Sequence, residues 1–344
     1  MEKPLIVVLG LGEMGYVHAR NLSKVRRIRL GLACRRADVL NRAMEELCAD
    51  KAFSSYEQAL ADAETYAVVI ATSVETHPRL IEMAARARKH IFSEKPLGFD
   101  SETIKKSISE VQEAGVRFMT GFMRRWDPAF AMARQRVDNG EIGDPIVLKC
   151  TSGDAEYPEK YHKGGAKNSM WKDLAVHDID LARWLMKSEV KSVYAISDAL
   201  SYDTLKEYND SDVGICVMQM ESGAKVMVHL SRALWYGYNV TSELVGKTGT
   251  LRIGALKDVD IVQMQALKSS QVIAEDFRTR FADAFANEMR AFGELVCAKT
   301  NEEASKMMKE NCQYATCCDG LRATAVSEAL VRSVTSGVPE NVKY

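Results

Sequence analysis

The sequence predicts an α/β protein in two parts, a doubly wound parallel sheet followed by an α+β domain. Three observations predict it. Short apolar runs alternate with helix-length stretches over the first 120 residues, a glycine-rich turn stands at the first strand–helix junction, and beyond about residue 140 the strand candidates crowd together. Length agrees, since 344 residues exceed one ordinary core; the expected domains are 1–123 and 124–344.

In the first part, 5–10 (LIVVLG), 28–34 (IRLGLAC), 67–73 (AVVIATS), 90–96 (HIFSEKP) and 116–122 (VRFMTGF) have the character of buried strands. Between them, 17–25, 37–49, 76–88 and 100–115 carry helical spacing, and strands separated by helices of that length pair in parallel. In the second part the strand candidates are 144–153, 190–199, 212–220, 224–232, 239–246 and 249–254. Turns as short as ESGA (221–224) join them, which favours antiparallel pairing. A helix at 172–187 precedes most of these strands, and helical stretches at 279–299 and 303–334 follow them.

Composition excludes several classes. With 46 basic against 47 acidic residues the net charge is −1, without the basic excess of a nucleic-acid binder. No segment approaches the roughly 20 apolar residues of a membrane helix, and MEKPLIVVLG runs into a strand without a leader pattern, so a cytoplasmic protein is expected. The eight cysteines are scattered singly apart from Cys317 and Cys318, with no CxxC pair; small core residues are expected and no metal site.

The chemistry begins at VVLGLGEMG, where Gly10, Gly12 and Gly15 enclose Leu11, Glu13 and Met14 in GxGxxG spacing. Such glycines serve a tight turn, backbone approach to a pyrophosphate and close helix–strand packing, and the helix start offers N–H groups to the anion. A dinucleotide is expected. Versions that take NAD usually place an acid at the end of the second strand, to bond the ribose 2′-hydroxyl. Here Cys34, Arg35 and Arg36 stand there, and Asp38 reads as a helix-start residue. Two guanidiniums suit a 2′-phosphate, so NADP is expected with NAD possible; plain solvation of both arginines is the alternative.

SEKPLGFD is a second anchor, with Glu94, Lys95 and Pro96 at the carboxyl edge where open α/β sheets bind ligands. Together with GxGxxG, ATSVETH (71–77), GFMRRWDP (121–128), DLAVHDIDLARWL (173–185) and YGYNVTSELVG (236–246), the chain resembles the glucose-fructose oxidoreductase and inositol dehydrogenase family over essentially its whole length. The details look closest to the inositol 2-dehydrogenase-like branch.

The resemblance implies a Rossmann domain, then an α+β domain with a large open, mostly antiparallel sheet, and an active site between them. It implies that Lys95 sits near the nicotinamide and the reacting oxygen, and that Asp173 and His177 are the family's Asp-xxx-His pair. It places Thr72, Ser73, His77 and Glu94 beside the cofactor, although the family's frequent TPN is Thr72-Ser73-Val74 here. It further implies a homodimer or homotetramer built through the open sheet face.

Read as an ideal helix, 172–187 puts Asp173, His177, Asp180 and Trp184 within about 60° of one another. Alone, that pattern also suits a core histidine and a helix-capping acid. Beside the other motifs it suits hydride transfer, where an alcohol proton must be removed and an imidazole titrates near the working pH. His177 is then the general acid/base, Asp173 holds and tunes it, and Lys95 polarises the oxygen.

Weaker substrate-contact candidates are Arg124, Arg125, Asp154, Tyr236 and Tyr238, each with a structural alternative. Lys160, His162, Lys163, Lys167 and Lys172 make 159–173 locally basic, either as a solvated loop or as a site for substrate phosphate or carboxylate. No role is evident for His18, His90 or His229. The expected activity is a dehydrogenase or reductase of a cyclitol, sugar or related polyol. Alternatives are a reductase of a diol, sugar acid or sugar phosphate, and a non-catalytic dinucleotide-binding regulator.

Overall fold

The structure, a computed structural model, describes residues 3–157, 167–254, 257–265 and 268–344. It divides into two compact units: Met1–Trp126 with Asp283–Thr324, and Asp127–Ala282 with Ala325–Tyr344.

The first unit alternates β1 (Leu5–Leu9), α1 (Glu13–Leu22), β2 (Arg29–Ala33), α2 (Ala37–Leu47), β3 (Lys51–Phe53), α3 (Tyr56–Ala61), β4 (Thr65–Ile70), α4 (His77–Arg86), β5 (His90–Glu94), α5 (Ser101–Ala114) and β6 (Phe118–Gly121). Its six strands form one parallel sheet in the order β3-β2-β1-β4-β5-β6. That is the doubly wound arrangement, reversing direction between β1 and β4. The sequence reading missed β3 and α3. Both are too short to show a period, and α3 is announced only by its cap, where the Ser55 hydroxyl accepts the Gln58 N–H at 3.1 Å.

Alternation along β1 builds two cores. Leu5, Val7 and Leu9 pack with Leu60, Ile81, Ile104 and Ile108, while Ile6 and Val8 face Leu22, Leu40 and Phe292. A strand buried on both faces needs apolar residues at every position, hence LIVVL.

The second unit holds α6 (Pro128–Asp138), β7 (Pro145–Gly153), α7 (Ala175–Met186), β8 (Val190–Asp198), β9 (Val213–Met220), β10 (Lys225–Ser231), β11 (Asn239–Gly246), β12 (Thr250–Ile253), β13 (Lys257–Gln265), β14 (Lys268–Ile273) and α8 (Phe277–Arg280). Its main sheet runs β12-β11-β7-β10-β9-β8 and is antiparallel except where β7 and β10 pair in parallel. The β13–β14 hairpin forms a separate two-stranded sheet that the sequence reading did not anticipate.

The chain ends with α9 (Ala282–Val296), α10 (Asn301–Glu310), α11 (Cys317–Ser336) and β15 (Glu340–Asn341), which adds the last strand beside β8. Where one division at 123/124 was expected, the first unit also takes Asp283–Thr324. The physical reason is core filling, since Met289, Phe292, Leu295 and Val296 of α9 complete the apolar face over β1. The Arg117 guanidinium closes that helix, donating to the carbonyls of Leu295, Val296, Ala298 and Thr300 at 2.8 to 3.1 Å. A cation there also complements the negative end of the helix dipole.

The helical stretch expected at 303–334 is broken into α10 and α11. A capping box starts α11: Thr316 Oγ1 accepts the Asp319 N–H, and Asp319 Oδ2 accepts the Thr316 N–H at 2.8 Å. Among the described residues no helix is long and apolar enough to cross a membrane.

Candidate active site

The glycine turn lies where the strand order reverses, at the carboxyl ends of β1 and β4. Gly10 has φ +91°, and a Cβ there would meet Ala71 O at 2.8 Å and Thr72 Cγ2 at 2.9 Å. A Cβ on Gly15 would overlap Gly10 O at 1.9 Å. Both positions therefore require glycine. Gly12 differs: nothing lies within 4 Å of its ideal Cβ, and as the N-cap of α1 it offers no side-chain partner to the first N–H groups. That open ground before uncapped N–H groups fits a pyrophosphate. Around it Leu11 is buried, Met14 half-buried and Glu13 exposed.

At the end of β2, Cys34 is buried and its N–H donates to Phe53 O at 3.1 Å. Arg35 and Arg36 follow, both exposed, with the Arg35 guanidinium 5.8 Å from the Tyr56 ring centre. Asp38 lies in the first turn of α2, so the position that receives the ribose in NAD-type sites carries no carboxylate.

After β4, Thr72 Oγ1 shares a 2.6 Å hydrogen bond with Thr76 Oγ1, and Thr76 Oγ1 donates to Ser73 O at 2.7 Å. Ser73 is exposed beside this turn. His77 is buried with Nδ1 2.9 Å from Pro96 O and Nε2 3.1 Å from Thr72 O. Two carbonyls ask for two ring protons, yet burial pushes the His77 pKa down. The neutral ring carries one N–H, which donates to one of the two carbonyls and ties the β4 and β5 turns together.

Glu94 closes β5. Its Oε1 lies 2.5 Å from His18 Nε2, and its Oε2 accepts the Lys95 N–H at 3.1 Å. Lys95, half-buried, precedes Pro96 through a cis peptide bond. Sequence reasoning gave His18 no role and did not single out Glu288 on α9. Both are fully buried, and with Glu94 they bring one ring nitrogen and two carboxylate oxygens within 4.8 Å of one another. The available signal was the placing of His18 three residues after Gly15, on the side of α1 that faces the sheet.

Arg124 and Arg125 are both buried. Arg125 pairs with Asp319 at 3.2 Å and donates to Cys312 O at 3.2 Å, while its own carbonyl accepts Gln313 Nε2 at 2.8 Å. These bonds give Arg125 the task of holding α11's start against residues 122–126.

In the second unit the helix expected from 172 begins instead with a π-turn, Met170–Leu174, so Asp173 does not follow the 100° spacing assumed above. Asp210 anchors that turn, accepting the Ser169 hydroxyl and the Met170 N–H, the latter at 3.0 Å. Asp173 is half-buried within it, and His177 lies one turn on in α7, at 8% exposure. Every residue of α7 is buried. Asp180 sits 3.8 Å from the Arg183 guanidinium, and Asp178 accepts the Ser152 hydroxyl at 2.8 Å. The polar stripe is thus partly a set of internal bonds, with Asp173 and His177 at its more accessible end.

Asp154 is half-buried, its N–H donating to Ser231 O and its carbonyl accepting the Leu234 N–H. Tyr236 and Tyr238 diverge: Tyr236 is exposed with its hydroxyl bonded by Asn239 Nδ2 at 2.8 Å, whereas Tyr238 is buried edge-on to Phe281. Of the basic stretch, Lys167 is exposed and Lys172 half-buried; Lys160, His162 and Lys163 lie outside the described residues.

Comparison with known proteins identifies the family of both domains. Residues 5–122 match the GFO/IDH/MocA oxidoreductase family domain with the NAD-binding Rossmann fold, and residues 130–252 match the GFO/IDH/MocA C-terminal domain. The scyllo-inositol 2-dehydrogenase (NAD(+)) of Bacillus subtilis (strain 168) is 37% identical over 84% of this chain and 85% of its own length. The inositol 2-dehydrogenase of Rhizobium meliloti (strain 1021) is 32% identical over 95% of this chain and 96% of its own. The crystal structure of scyllo-inositol dehydrogenase from Lactobacillus casei, with bound NAD(H) and scyllo-inositol, superposes with a TM-score of 0.88 at 29% identity, covering 99% of both chains.

Proposed function

The chain belongs to the GFO/IDH/MocA oxidoreductase family, and from that premise we propose its function. It is a nicotinamide-dependent dehydrogenase of the inositol 2-dehydrogenase type, acting on a secondary alcohol of a cyclitol, sugar or related polyol. The observation that carries this reading is the Gly10–Gly15 turn at the β1/β4 reversal, open at Gly12, with Lys95 at the end of neighbouring β5.

When bound, the nicotinamide accepts or returns the hydride. The residues of this chain handle the proton and the oxygen. His177 takes the hydroxyl proton in oxidation and returns it in reduction, the general acid/base role that imidazole commonly fills. Asp173, one turn before it, orients the ring and favours its charged form. Lys95 polarises the oxygen and stabilises negative charge on it. Arg124, Asp154 and Tyr236 orient substrate hydroxyls, while Tyr238 and Arg125 support the surrounding structure.

Arg35 and Arg36 recognise a 2′-phosphate, so NADP is preferred over NAD. In support, the three residues directly after β2, Cys34, Arg35 and Arg36, include no carboxylate, and both guanidiniums are exposed. The relative from B. subtilis is named for NAD(+), and the NADP reading rests only on this chain's own β2 turn. All eight cysteines are thiols, which suits a reducing cytoplasm. The sheet's exposed apolar face supports a homodimer or homotetramer.

The test is reduced-nicotinamide formation with NADP and NAD in parallel, over inositols, sugars, sugar acids and sugar phosphates. Turnover of a cyclitol or sugar with NADP favoured supports the reading. Tight cofactor binding without turnover on any of these would replace the enzyme with a dinucleotide-binding regulator.

A further inference from the structure

We propose that Glu288 is a positioning residue for this reaction: held as the uncharged acid, it completes a buried His18–Glu94–Glu288 array that fixes the peptide of Lys95. The positioning role rests on the reading of Lys95 as the group that polarises the reacting oxygen.

Three elements meet in this array. His18 comes from α1, Glu94 from the end of β5 and Glu288 from α9, and their exposures are 0%, 7% and 0%. Glu94 is held on both oxygens, by the His18 ring at 2.5 Å and by the Lys95 N–H at 3.1 Å. Glu288 is different, because neither of its oxygens has a hydrogen-bond partner. The surroundings are apolar, with the Phe92 and Phe285 rings 5.2 and 6.0 Å from the His18 ring and Phe292 tilted against Phe92 at 5.6 Å.

Charge balance decides the protonation state. One proton shared between His18 Nε2 and Glu94 Oε1 and one kept by Glu288 leave the array with the least buried charge. An ionised Glu288 would be a buried carboxylate without a donor, beside a second carboxylate, and that is far costlier than the acid. Among the described residues, Glu94 from β5 and His18 from α1 face it within 4.8 Å. Burial first, and the Glu94 charge second, push the Glu288 pKa well above the ordinary carboxyl value. A divalent cation would also balance the charge. However, His18 Nε2 and Glu94 Oε1 stand 2.5 Å apart, closer than two ligands on bonds of about 2.1 Å at a tetrahedral angle.

The consequence for the reaction follows from Glu94. While Glu288 is neutral, Glu94 is the one negative charge in the array and holds both His18 and the Lys95 peptide. If Glu288 ionises, it repels Glu94 and competes for His18, and the Lys95 peptide loses its anchor.

The decisive measurement is infrared difference spectroscopy of the full-length protein against Glu288→Gln at neutral pH. An un-ionised carboxylic acid band present in the wild type and absent from the variant is expected. Kinetics then test the positioning role: Glu288→Ala, which leaves a cavity beside Glu94 and His18 into which they can shift, should lower kcat roughly 10- to 100-fold with KM nearly unchanged. Glu288→Gln, neutral and of the same shape, should restore kcat to within about threefold and keep it at alkaline pH, where the wild type declines. Absence of the acid band overturns the proposal, as does a metal present at one per chain in the wild type and lost from Glu288→Gln. A Gln variant as impaired as Ala, or Ala and Gln variants both with wild-type kcat, overturns the positioning role. Should the Ala variant fail to fold, the band and the Gln variant's alkaline profile still decide. A fully active Lys95→Met variant would remove the reading of Lys95 while leaving the acid band to report on Glu288 by itself.

Discussion

The Glu94 carboxylate lies 2.5 Å from the ring Nε2 of His18, joining the helix that follows the glycine turn to the strand that leads into Lys95. Both partners are buried, so neither can turn to water when the other is lost. His18→Ala should therefore cost about 3 kcal/mol of stability, the usual result of breaking a buried pair from one side. Urea denaturation of wild type and variant measures this directly. A midpoint shift worth less than about 0.5 kcal/mol, the range of ordinary surface changes, would mean that the pair contributes little.

Catalysis places a different demand on the second unit. His177→Ala should lower kcat by roughly 10²- to 10⁴-fold, the worth of one general acid/base, with a smaller effect on KM. On the proposed roles, Asp173→Asn should lose less than His177→Ala, since it alters a residue acting through the ring and not the ring itself. Steady-state kinetics across pH separates the two. Retention of most wild-type turnover by His177→Ala would assign the proton transfer to another group.

Cofactor choice is testable at the end of β2. If Arg35 and Arg36 bond a 2′-phosphate, replacing both with serine removes charge-assisted hydrogen bonds worth about 1.5 to 3 kcal/mol, or roughly 10- to 100-fold in kcat/KM for NADP. The NAD value should change little. Adding Cys34→Asp should then raise it, since an acid there can accept the ribose hydroxyls. Equal losses with both cofactors would mean that the arginines merely hold the turn.

What was legible in the sequence depended on pattern length. The strands at 5–10 and 67–73 are buried on both faces and so are apolar throughout, which makes them visible without a partner. The glycine turn was legible because its three glycines fall within six residues at the first strand–helix junction, and Gly15 answers to the Gly10 carbonyl five residues before it. β3 and α3 were too short to display a period. The return of 283–324 to the first unit was hidden because an amphipathic helix shows that it has an apolar face without showing which sheet receives it. The π-turn at Asp173 was hidden too: it depends on Asp210, 37 residues away in sequence, taking the Met170 N–H. His18 and Glu288 escaped notice because their chemistry exists only once α1, β5 and α9 are packed together.

Acid stability should depend on His90. Its Nδ1 accepts the Arg117 N–H at 3.1 Å, a bond that only the ring unprotonated at that nitrogen can make. Burial, and then the Arg117 charge, lower its pKa to about 4. The unfolded chain takes up this proton near the ordinary value of about 6.5, before the folded protein does. Stability from this residue is therefore complete above that pH and lost progressively as pH falls towards 4, by up to about 3 kcal/mol. In His90→Asn the side-chain oxygen replaces the ring acceptor without titrating. Melting temperatures measured from pH 7 to 4 should fall less steeply in that variant. Parallel curves would assign the acid sensitivity elsewhere.

The open sheet face carries the last prediction. Val217 on β9 stands opposite Tyr194 of β8 on one side and Met227 of β10 on the other. The three side chains are 48%, 36% and 45% exposed, and Ile215 and Ile196 pair beside them at 44% and 53%. The other face of β9 is fully buried, as its strict alternation shows. A regular strand with apolar residues on both faces fits a sheet that is covered on both, and a second copy of the chain supplies such a cover symmetrically. Val217→Lys would place a charge at the centre of that contact without disturbing the buried face. Wild type should sediment as a dimer or tetramer at micromolar concentration, and the variant as a monomer with an unchanged circular dichroism spectrum. A wild type that is already monomeric would leave this face for another partner, and a variant that stays assembled would move the interface elsewhere.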